Sequence, residues 1–291
     1  TTASINLSRA SDLLQQSLGH LSSGKRINAS ADDASGLAVS YKLHAQGKRT
    51  NASIQNAQNA TSLLQDQDAK LATIGKILDR VAELRTLSDD ITKNPGDLET
   101  YSEEFQELQK HLQQIGDAQF NGIDLFSYDD TDTDAMLKST TSNYTDSDGV
   151  LVNYPKFGLM LNLDDDSEDN TGKISINMSN LQFIFMPMGD PVANGFIPKL
   201  TTLGIDQIVN SIERLAHVRA ENGAEQNTIL QRIKLQQSNY THLDETHGRI
   251  VDADIASEST RFARQNILVQ ASAAMNTQAN QLTNIALQFI N

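Results

Sequence analysis

Hydrophobic residues recur every seven positions near both ends of this 291-residue chain. Near the N-terminus the repeat consists of Leu7, Leu14 and Leu21, and near the C-terminus it consists of Leu268, Met275, Leu282 and Phe289, with Ile285 in the same stripe. A repeat of this length places its members along one side of an α-helix. No Asp, Glu, Lys or Arg occurs from residue 265 to residue 291. We therefore predict two terminal helices, poor in charge, that pair as long antiparallel helices or a coiled coil.

The middle of the chain carries longer helical patterns and one region of a different kind. Apolar stripes predict helices over residues 41–93, 98–117 and 204–247. Alternating and β-rich runs between acidic turns predict a small β-rich insertion within residues 128–200. The predicted fold class is therefore mainly α, with a small β-rich insertion in the middle.

These patterns divide the chain into three expected domains. They are a terminal helical pair with its connector (1–40 and 250–291), a second helical domain (41–127 and 201–249) and a β-rich domain (128–200) that is expected to face solvent because of its excess of acidic residues. In the connector, Gly24 interrupts the first helix, and Ser30 is expected to cap the next one.

The C-terminal segment is not expected to fold alone. Ordering about 40 residues costs roughly 40–80 kcal/mol of backbone entropy. Its large apolar side chains return only about 15–30 kcal/mol when fully buried. We expect this end to be disordered in the monomer and to fold when partners cover its second side.

Composition excludes several classes of function. The net charge of −14 argues against nucleic acid as a partner, because phosphate contacts require an excess of Lys and Arg. The absence of cysteine excludes disulfides, cysteine-ligated zinc and thiol nucleophiles. We find neither a Sec-type signal nor an apolar run long enough to span a membrane, and the C-terminal helix lacks the basic polar face of a membrane-surface anchor. No membrane insertion is expected.

Acidic runs at residues 129–134 and 164–169 are the strongest candidates for metal binding. A calcium loop of the EF-hand type starting in the first run would need Gly where Ala135 stands and Glu where Thr141 stands. We interpret both runs as solvated acidic loops. The six histidines are scattered, and no nucleophile motif or phosphate loop is present. The sequence thus predicts no catalytic residue, metal or cofactor, and the protein is not expected to be an enzyme.

Two long motifs resemble the signatures of bacterial flagellins. LSSGKRIN at residues 21–28 and DDASGLA at residues 32–38 are similar to the N-terminal signature. RIVDADIA at residues 249–256, with ILVQA at 267–271 and AMNTQANQ at 274–281, is similar to the C-terminal one. Only 20 residues precede LSSG, fewer than flagellins usually have. We therefore expect either an N-terminal helix shorter than its C-terminal partner or a sequence that lacks its start.

The resemblance implies a structural subunit that polymerises into the helical filament of the bacterial flagellum and serves swimming motility. In that filament the terminal pair would form the inner core, the second helical domain a shell around it, and residues 128–200 the exposed outer domain. Its self-assembly residues would be those of the two seven-residue repeats, and its connector would contain Gly24, Asn28, Asp32, Asp33 and Gly36. It also implies unfolded export by the flagellar type III apparatus and an extracellular location. The implied partners are other copies of the chain, an export chaperone, and the hook-associated junction and cap proteins.

A further resemblance concerns innate immunity. The stretch from Asp79 to Leu84 is similar to the helix through which many flagellins contact a Toll-like receptor. The matching positions are Arg80 and Leu84, with Glu103 on the adjacent helix. Ala82 and Arg85 depart from the usual pattern, because a larger and a smaller residue, respectively, are common there.

Two alternatives remain open from the sequence. A hook–filament junction protein shares both terminal segments with flagellins. A coiled-coil adhesin would instead bind a ligand through residues 128–200. Growth of long filaments from seeds distinguishes a filament subunit from both.

Overall fold

The computed structural model describes residues 2–127, 137–145, 151–162, 173–181, 184 and 199–290. Five α-helices account for most of this part of the chain. They are α1 (Thr2–Ser23), α2 (Ala34–Ser88), α3 (Pro95–Gly116), α4 (Ile205–Val251) and α5 (Ile255–Ile290). The predicted mainly α fold class is confirmed.

The ends of α2 differ from the predicted range of 41–93. The helix begins at Ala34 because Asp33 caps its first turn, and it ends at Ser88 in a turn that continues to residue 93. The helix after this turn starts with a capping box. Asn94 Oδ1 accepts the backbone N–H of Asp97 at 2.9 Å, and Asp97 Oδ2 accepts the backbone N–H of Asn94 at 3.2 Å. Pro95 follows at the first helical position, where its missing N–H costs nothing.

The predicted β-rich insertion is present as a sheet. A short hairpin joins β1 (Gln119–Phe120) to β2 (Ile123–Asp124), and the positive φ angles of Asn121 and Gly122 suit its two-residue turn. The main sheet has the order β3-β6-β5-β4, with β3 parallel to β6 and the other pairs antiparallel. Its strands are β3 (Phe126–Ser127), β4 (Leu137–Thr145), β5 (Leu151–Asn162) and β6 (Lys173–Asn180).

The chain forms two compact units rather than the three predicted domains. One unit contains residues 1–49 and 238–291, and the other contains residues 50–237. The divisions expected at 40/41 and 249/250 fall inside the continuous helices α2 and α4, so neither is a boundary.

The strands belong to the same compact unit as the helices between residues 50 and 237. Ile176 on β6, with Leu181 and Ile184, belongs to the same buried cluster as Leu71 and Leu78 of α2. Through Ile176, and through Phe126 of β3, the sheet shares the core of the helices, which burial of apolar surface stabilises.

A chain of buried amides crosses this core. Gln67, 1% exposed, donates to the backbone carbonyl of Leu125 at 3.1 Å and accepts from Asn222 Nδ2 at 2.6 Å. Buried polar groups are tolerated where hydrogen bonds satisfy them. This chain fixes α2 against α4 and against the start of the sheet.

Candidate assembly surface

Helices α1 and α5 pack against each other in the unit formed by residues 1–49 and 238–291. They run antiparallel, since the last turn of α1 lies beside the first turn of α5: His20 Nδ1 is 3.5 Å from Glu258 Oε1. On α1, Leu7, Leu14 and Leu21 are half-buried, and Ala10 and Ser17 between them are buried. The N-terminal repeat thus lies on the packed side, as a helical pair requires.

The C-terminal repeat does not lie on the packed side of α5. Half-buried positions there include Phe262, Val269 and Asn276. Leu268 and Met275 each come one residue earlier, about 100° around the helix, and are 45% and 70% exposed. The interpretation of Leu268 and Met275 as the side that packs within the chain is therefore wrong. For Leu282, Ile285 and Phe289 only the helical backbone falls within the described structure.

Exposed apolar side chains also occur on α1. Ile5, Leu13 and Leu18 are 59%, 41% and 54% exposed. Leu18 lies outside the packed stripe, because Ser17 occupies the buried position. The helical pair consequently presents apolar surface on both of its members.

The backbone conformation of Gly24 ends α1. Gly24 has a φ of 70°, and its N–H donates to the carbonyl of His20 at 2.9 Å. A left-handed residue closing the last turn in this way is a common helix C-terminus, and glycine adopts it without steric cost. The chain can then turn away from α1.

The connector is joined to the short link between α4 and α5 by backbone hydrogen bonds. Arg26 N–H donates to the Val251 carbonyl at 2.7 Å, and Ala253 N–H donates to the Gly24 carbonyl at 2.9 Å. The Arg26 guanidinium also donates to the Ile250 carbonyl at 2.8 Å. Residues far apart in sequence are thereby held as one junction, and α5 starts from it.

Asp32 organises the loop within the connector. Its carboxylate accepts the backbone N–H groups of Ala29 at 2.9 Å and Asn28 at 3.0 Å. These two hydrogen bonds stabilise the charged form and lower the pKa of Asp32. The Asn28 amide donates to the Gly19 carbonyl at 3.1 Å, which ties the loop back to α1.

Asp33 caps α2, so the expected cap at Ser30 is wrong. Its carboxylate accepts the N–H of Gly36 at 2.8 Å and the hydroxyl of Ser35 at 2.9 Å, and the first of these bonds is the main cause of its lowered pKa. A Cβ on Gly36 would lie 2.8 Å from Asp33 Cγ and 3.0 Å from Ile27 Cδ1. Gly36, predicted to be in the connector, lies in the first turn of α2, where the capping carboxylate leaves no room for a side chain.

Sequence reasoning missed two polar residues of this junction. Glu258 is buried in the first turn of α5 and lies between His20 and Arg261, whose Nη1 is 3.5 Å away. Asp254 accepts the N–H groups of Ala256 and Ser257 at 3.0 and 3.2 Å and so caps α5. The Asp preceding an apolar helical run was the available signal for this cap.

The predicted receptor-contact residues differ in how deeply they are buried. Leu84 is fully buried in the core of the 50–237 unit, so it is not available to a partner of the folded chain, and its prediction as a contact is wrong. Arg80 makes two hydrogen bonds with Glu104, at 2.6 and 3.0 Å, and one with Glu83. Arg80 thereby lowers the pKa of Glu104. Glu103 is exposed beside this cluster.

Arg85 has a structural role within the chain. Its guanidinium donates to the Leu203 carbonyl at 2.7 Å and to Ser88 Oγ at 3.1 Å, and it pairs with Asp89. These bonds tie the end of α2 to the segment that leads into α4.

Neither metal clusters nor membrane spans occur in the described part of the chain. No group of three or more His, Cys, Asp or Glu side chains is placed there to hold a metal ion. No helix among the same residues is long and apolar enough to cross a membrane. The acidic runs at 129–134 and 164–169 lie outside the described residues.

Both ends of the chain match models of one known family. The bacterial flagellin N-terminal helical region matches residues 1–131, and the bacterial flagellin C-terminal helical region matches residues 205–290. A flagellin of Halalkalibacterium halodurans is 30% identical over 277 residues, which cover 95% of this chain and 91% of the relative. A flagellin of Bacillus subtilis is 30% identical over 295 residues, covering 98% and 95% of the two chains.

One solved structure shares the fold. It is a protein of Vibrio parahaemolyticus described as flagellar hook-associated, with a TM-score of 0.56 and 15% sequence identity. The likeness covers 76% of this chain and 100% of that one. At this identity the likeness shows the fold alone, whereas the two sequence relatives extend over nearly the whole chain.

Proposed function

Because the chain belongs to the bacterial flagellin family and is a structural subunit of the flagellar filament, we propose that the α1–α5 pair forms the surface through which it polymerises. The observation that carries this proposal is the apolar outer side of α5, where Ile267, Leu268 and Met275 are 66%, 45% and 70% exposed. No charged residue interrupts this side after Arg264. Contiguous exposed apolar surface of this kind marks an interaction site.

The two sides of α5 have different roles. One side packs within the chain around Val269 and Asn276, and the other is left for neighbouring subunits. Contacts between different patches of successive copies do not close, so they extend into a helical polymer. The hydrogen bonds between the connector and the α4–α5 junction fix the place from which α5 starts beside α1.

Export and ordering follow from the same surface. A segment whose apolar side is covered only in the polymer gains most of its stability on assembly. We infer that the terminal helices are disordered during passage through a type III export channel and become ordered in the extracellular filament. An export chaperone would cover the same apolar side before assembly, and the hook-associated junction and cap proteins would contact it at the two filament ends.

Removal of residues 272–291 tests the role of α5. We expect the shortened chain to form no filaments, because it loses Met275 and the C-terminal half of α5, while the 50–237 unit keeps its helical circular dichroism and cooperative unfolding. The control is the full chain under the same salt and seeding conditions. Long filaments from the shortened chain would show that polymerisation does not depend on α5.

A hook–filament junction protein is the second candidate, because such proteins share both terminal segments with flagellins. Negative-stain microscopy of the purified chain with short filament seeds separates the two. A filament subunit extends the seeds into long uniform filaments, whereas a junction protein stops at a short stub. Deletion of residues 128–200 is a poor test of the adhesin alternative, because Ile176 and Leu181 belong to the shared core.

We propose that a Toll-like receptor contacts the exposed surface around Arg80 and Glu103 rather than Leu84. Receptor-reporter cells exposed to wild-type monomer and to an Arg80→Ala variant test this. A response to wild type that the variant abolishes supports the contact, and an equal response to both contradicts it.

A further inference from the structure

Two histidines face each other across the pair formed by α2 and α4. The ring centroids of His44 and His247 are 5.4 Å apart, and their planes are inclined by 34°. The two helices run antiparallel here, since Gly47, one turn further along α2, lies beside Tyr240, two turns earlier on α4. His44 is exposed and His247 is half-buried, so both rings are accessible to an ion from solvent.

The separation of the rings suits a shared ligand. A metal ion about 2 Å from one nitrogen of each of two imidazoles, in tetrahedral geometry, holds the ring centres about 5 Å apart. Within the described residues, neither His44 nor His247 makes a hydrogen bond or an ion pair. Their ring nitrogens are therefore not committed to other groups of that part of the chain. By contrast, His242 on the same helix is paired with Ser238 Oγ at 3.5 Å.

We propose that His44 and His247 form a binding site for a divalent late transition-metal ion. Neutral imidazole is a good ligand for Cu²⁺, Ni²⁺ and Zn²⁺, and Cu²⁺ binds most tightly to a given set of nitrogen ligands. The described residues supply no third His, Cys, Asp or Glu at this place, so water completes the coordination. Ca²⁺ and Mg²⁺ prefer oxygen ligands and do not bind here.

A bound ion joins α2 to α4 within the unit of residues 1–49 and 238–291. The two histidines are brought together only when these helices are paired. The ion therefore binds the ordered state in preference to the disordered one and stabilises it. This site is distinct from the connector and from the outer side of α5.

Copper titration of the full chain tests the site. We expect one Cu²⁺ per chain, with the nitrogen hyperfine pattern of two imidazoles in its electron paramagnetic resonance spectrum. His44→Asn and His247→Asn should each weaken binding roughly 100-fold, because the second imidazole acts at the high effective concentration set by the helices. His242→Asn, on the same helix as His247, is the matched control and should bind as the wild type does.

The measurement is made on both unpolymerised chain and filaments. A two-imidazole complex in either form that both single variants lose supports the site. Unchanged affinity in either single variant, or a spectrum with one imidazole in both forms of the wild type, overturns it. Zn²⁺ and Ni²⁺ should bind more weakly than Cu²⁺, and equal binding of Ca²⁺ would likewise contradict the proposal.

Discussion

The outer side of α5 makes a quantitative prediction about polymerisation. The double variant Leu268→Asp/Met275→Asp changes two exposed apolar residues. Their side chains lie on the outer side of α5 and not on the side that packs within the chain. The double variant should leave the helix and its pairing with α1 intact. Its effect should therefore fall on contacts between subunits.

The magnitude follows from the exposure of the two side chains. They are 45% and 70% exposed, and full burial of one Leu or Met side chain contributes about 1.5–3 kcal/mol. Covering the exposed fractions thus contributes about 2–3 kcal/mol for the two residues together. Losing it raises the critical concentration for polymerisation about 30- to 100-fold, since 1.4 kcal/mol is a factor of ten. Two unpaired carboxylates in the interface add to this cost.

The assay is seeded polymerisation followed by centrifugation, with the concentration left in the supernatant taken as the critical concentration. Ile91→Asp is the matched control, because Ile91 is 99% exposed in the turn between α2 and α3. It makes the same chemical change outside the terminal pair and should polymerise at the wild-type concentration. Circular dichroism checks that all variants keep their helices.

A wild-type critical concentration for the double variant would refute the reasoning, because the outer side of α5 would then not be buried between subunits. An equal loss in the double variant and in Ile91→Asp would also refute it, since the effect would not be specific to α5.

Three other predictions follow from single residues. Gly36→Ala should lower the thermal midpoint of filaments, because an overpacked Cβ costs about 1–3 kcal/mol. In an Asp33→Ala background the same change should be neutral or stabilising, and a lowered midpoint there as well would contradict the clash with Asp33. Gln67→Leu should lower the free energy of unfolding in urea by about 2–4 kcal/mol, because it leaves buried hydrogen-bond partners unsatisfied. Adding Asn222→Leu should restore part of this loss, and no recovery would contradict the proposed role of the amide chain. Because the pKa of Asp32 is lowered in the folded chain, its contribution to stability is complete above about pH 4 and is lost as the pH falls further. Asp32→Asn should therefore reduce the fall in filament thermal midpoint between pH 5 and 2, and a wild-type pH profile in that variant would contradict this contribution.

Much of the architecture could be predicted because it depends on local periodicity. The repeat Leu7, Leu14 and Leu21 predicted α1 and its packed side, since one apolar stripe leaves one way to pack. Long uninterrupted stripes likewise predicted α2, α3 and α4, although not the ends of α2. Helix ends depend on a few capping contacts, and Asp33 competed with Ser30 for that role.

The packed side of α5 could not be predicted. Leu268 and Met275 are seven residues apart, and so are Val269 and Asn276. The pattern of apolar residues alone therefore selects Leu268 and Met275 as the packed side. The structure packs the other set within the chain. The sequence pattern of one helix does not contain the shape of its partner, and α1 presents the small residues Ala10 and Ser17 at its buried positions.

The sequence by itself determined that the chain is mainly helical, that its terminal segments pair, and that its motifs are those of flagellins. Only the tertiary structure decided that Leu84 is core rather than surface and that β3 and β6 share the core of the helices. It alone showed that Arg26 is bonded to the last turn of α4 and that His44 lies beside His247. These features join residues far apart in the chain, and their contacts arise from the path of the folded backbone, which no local pattern of residues encodes.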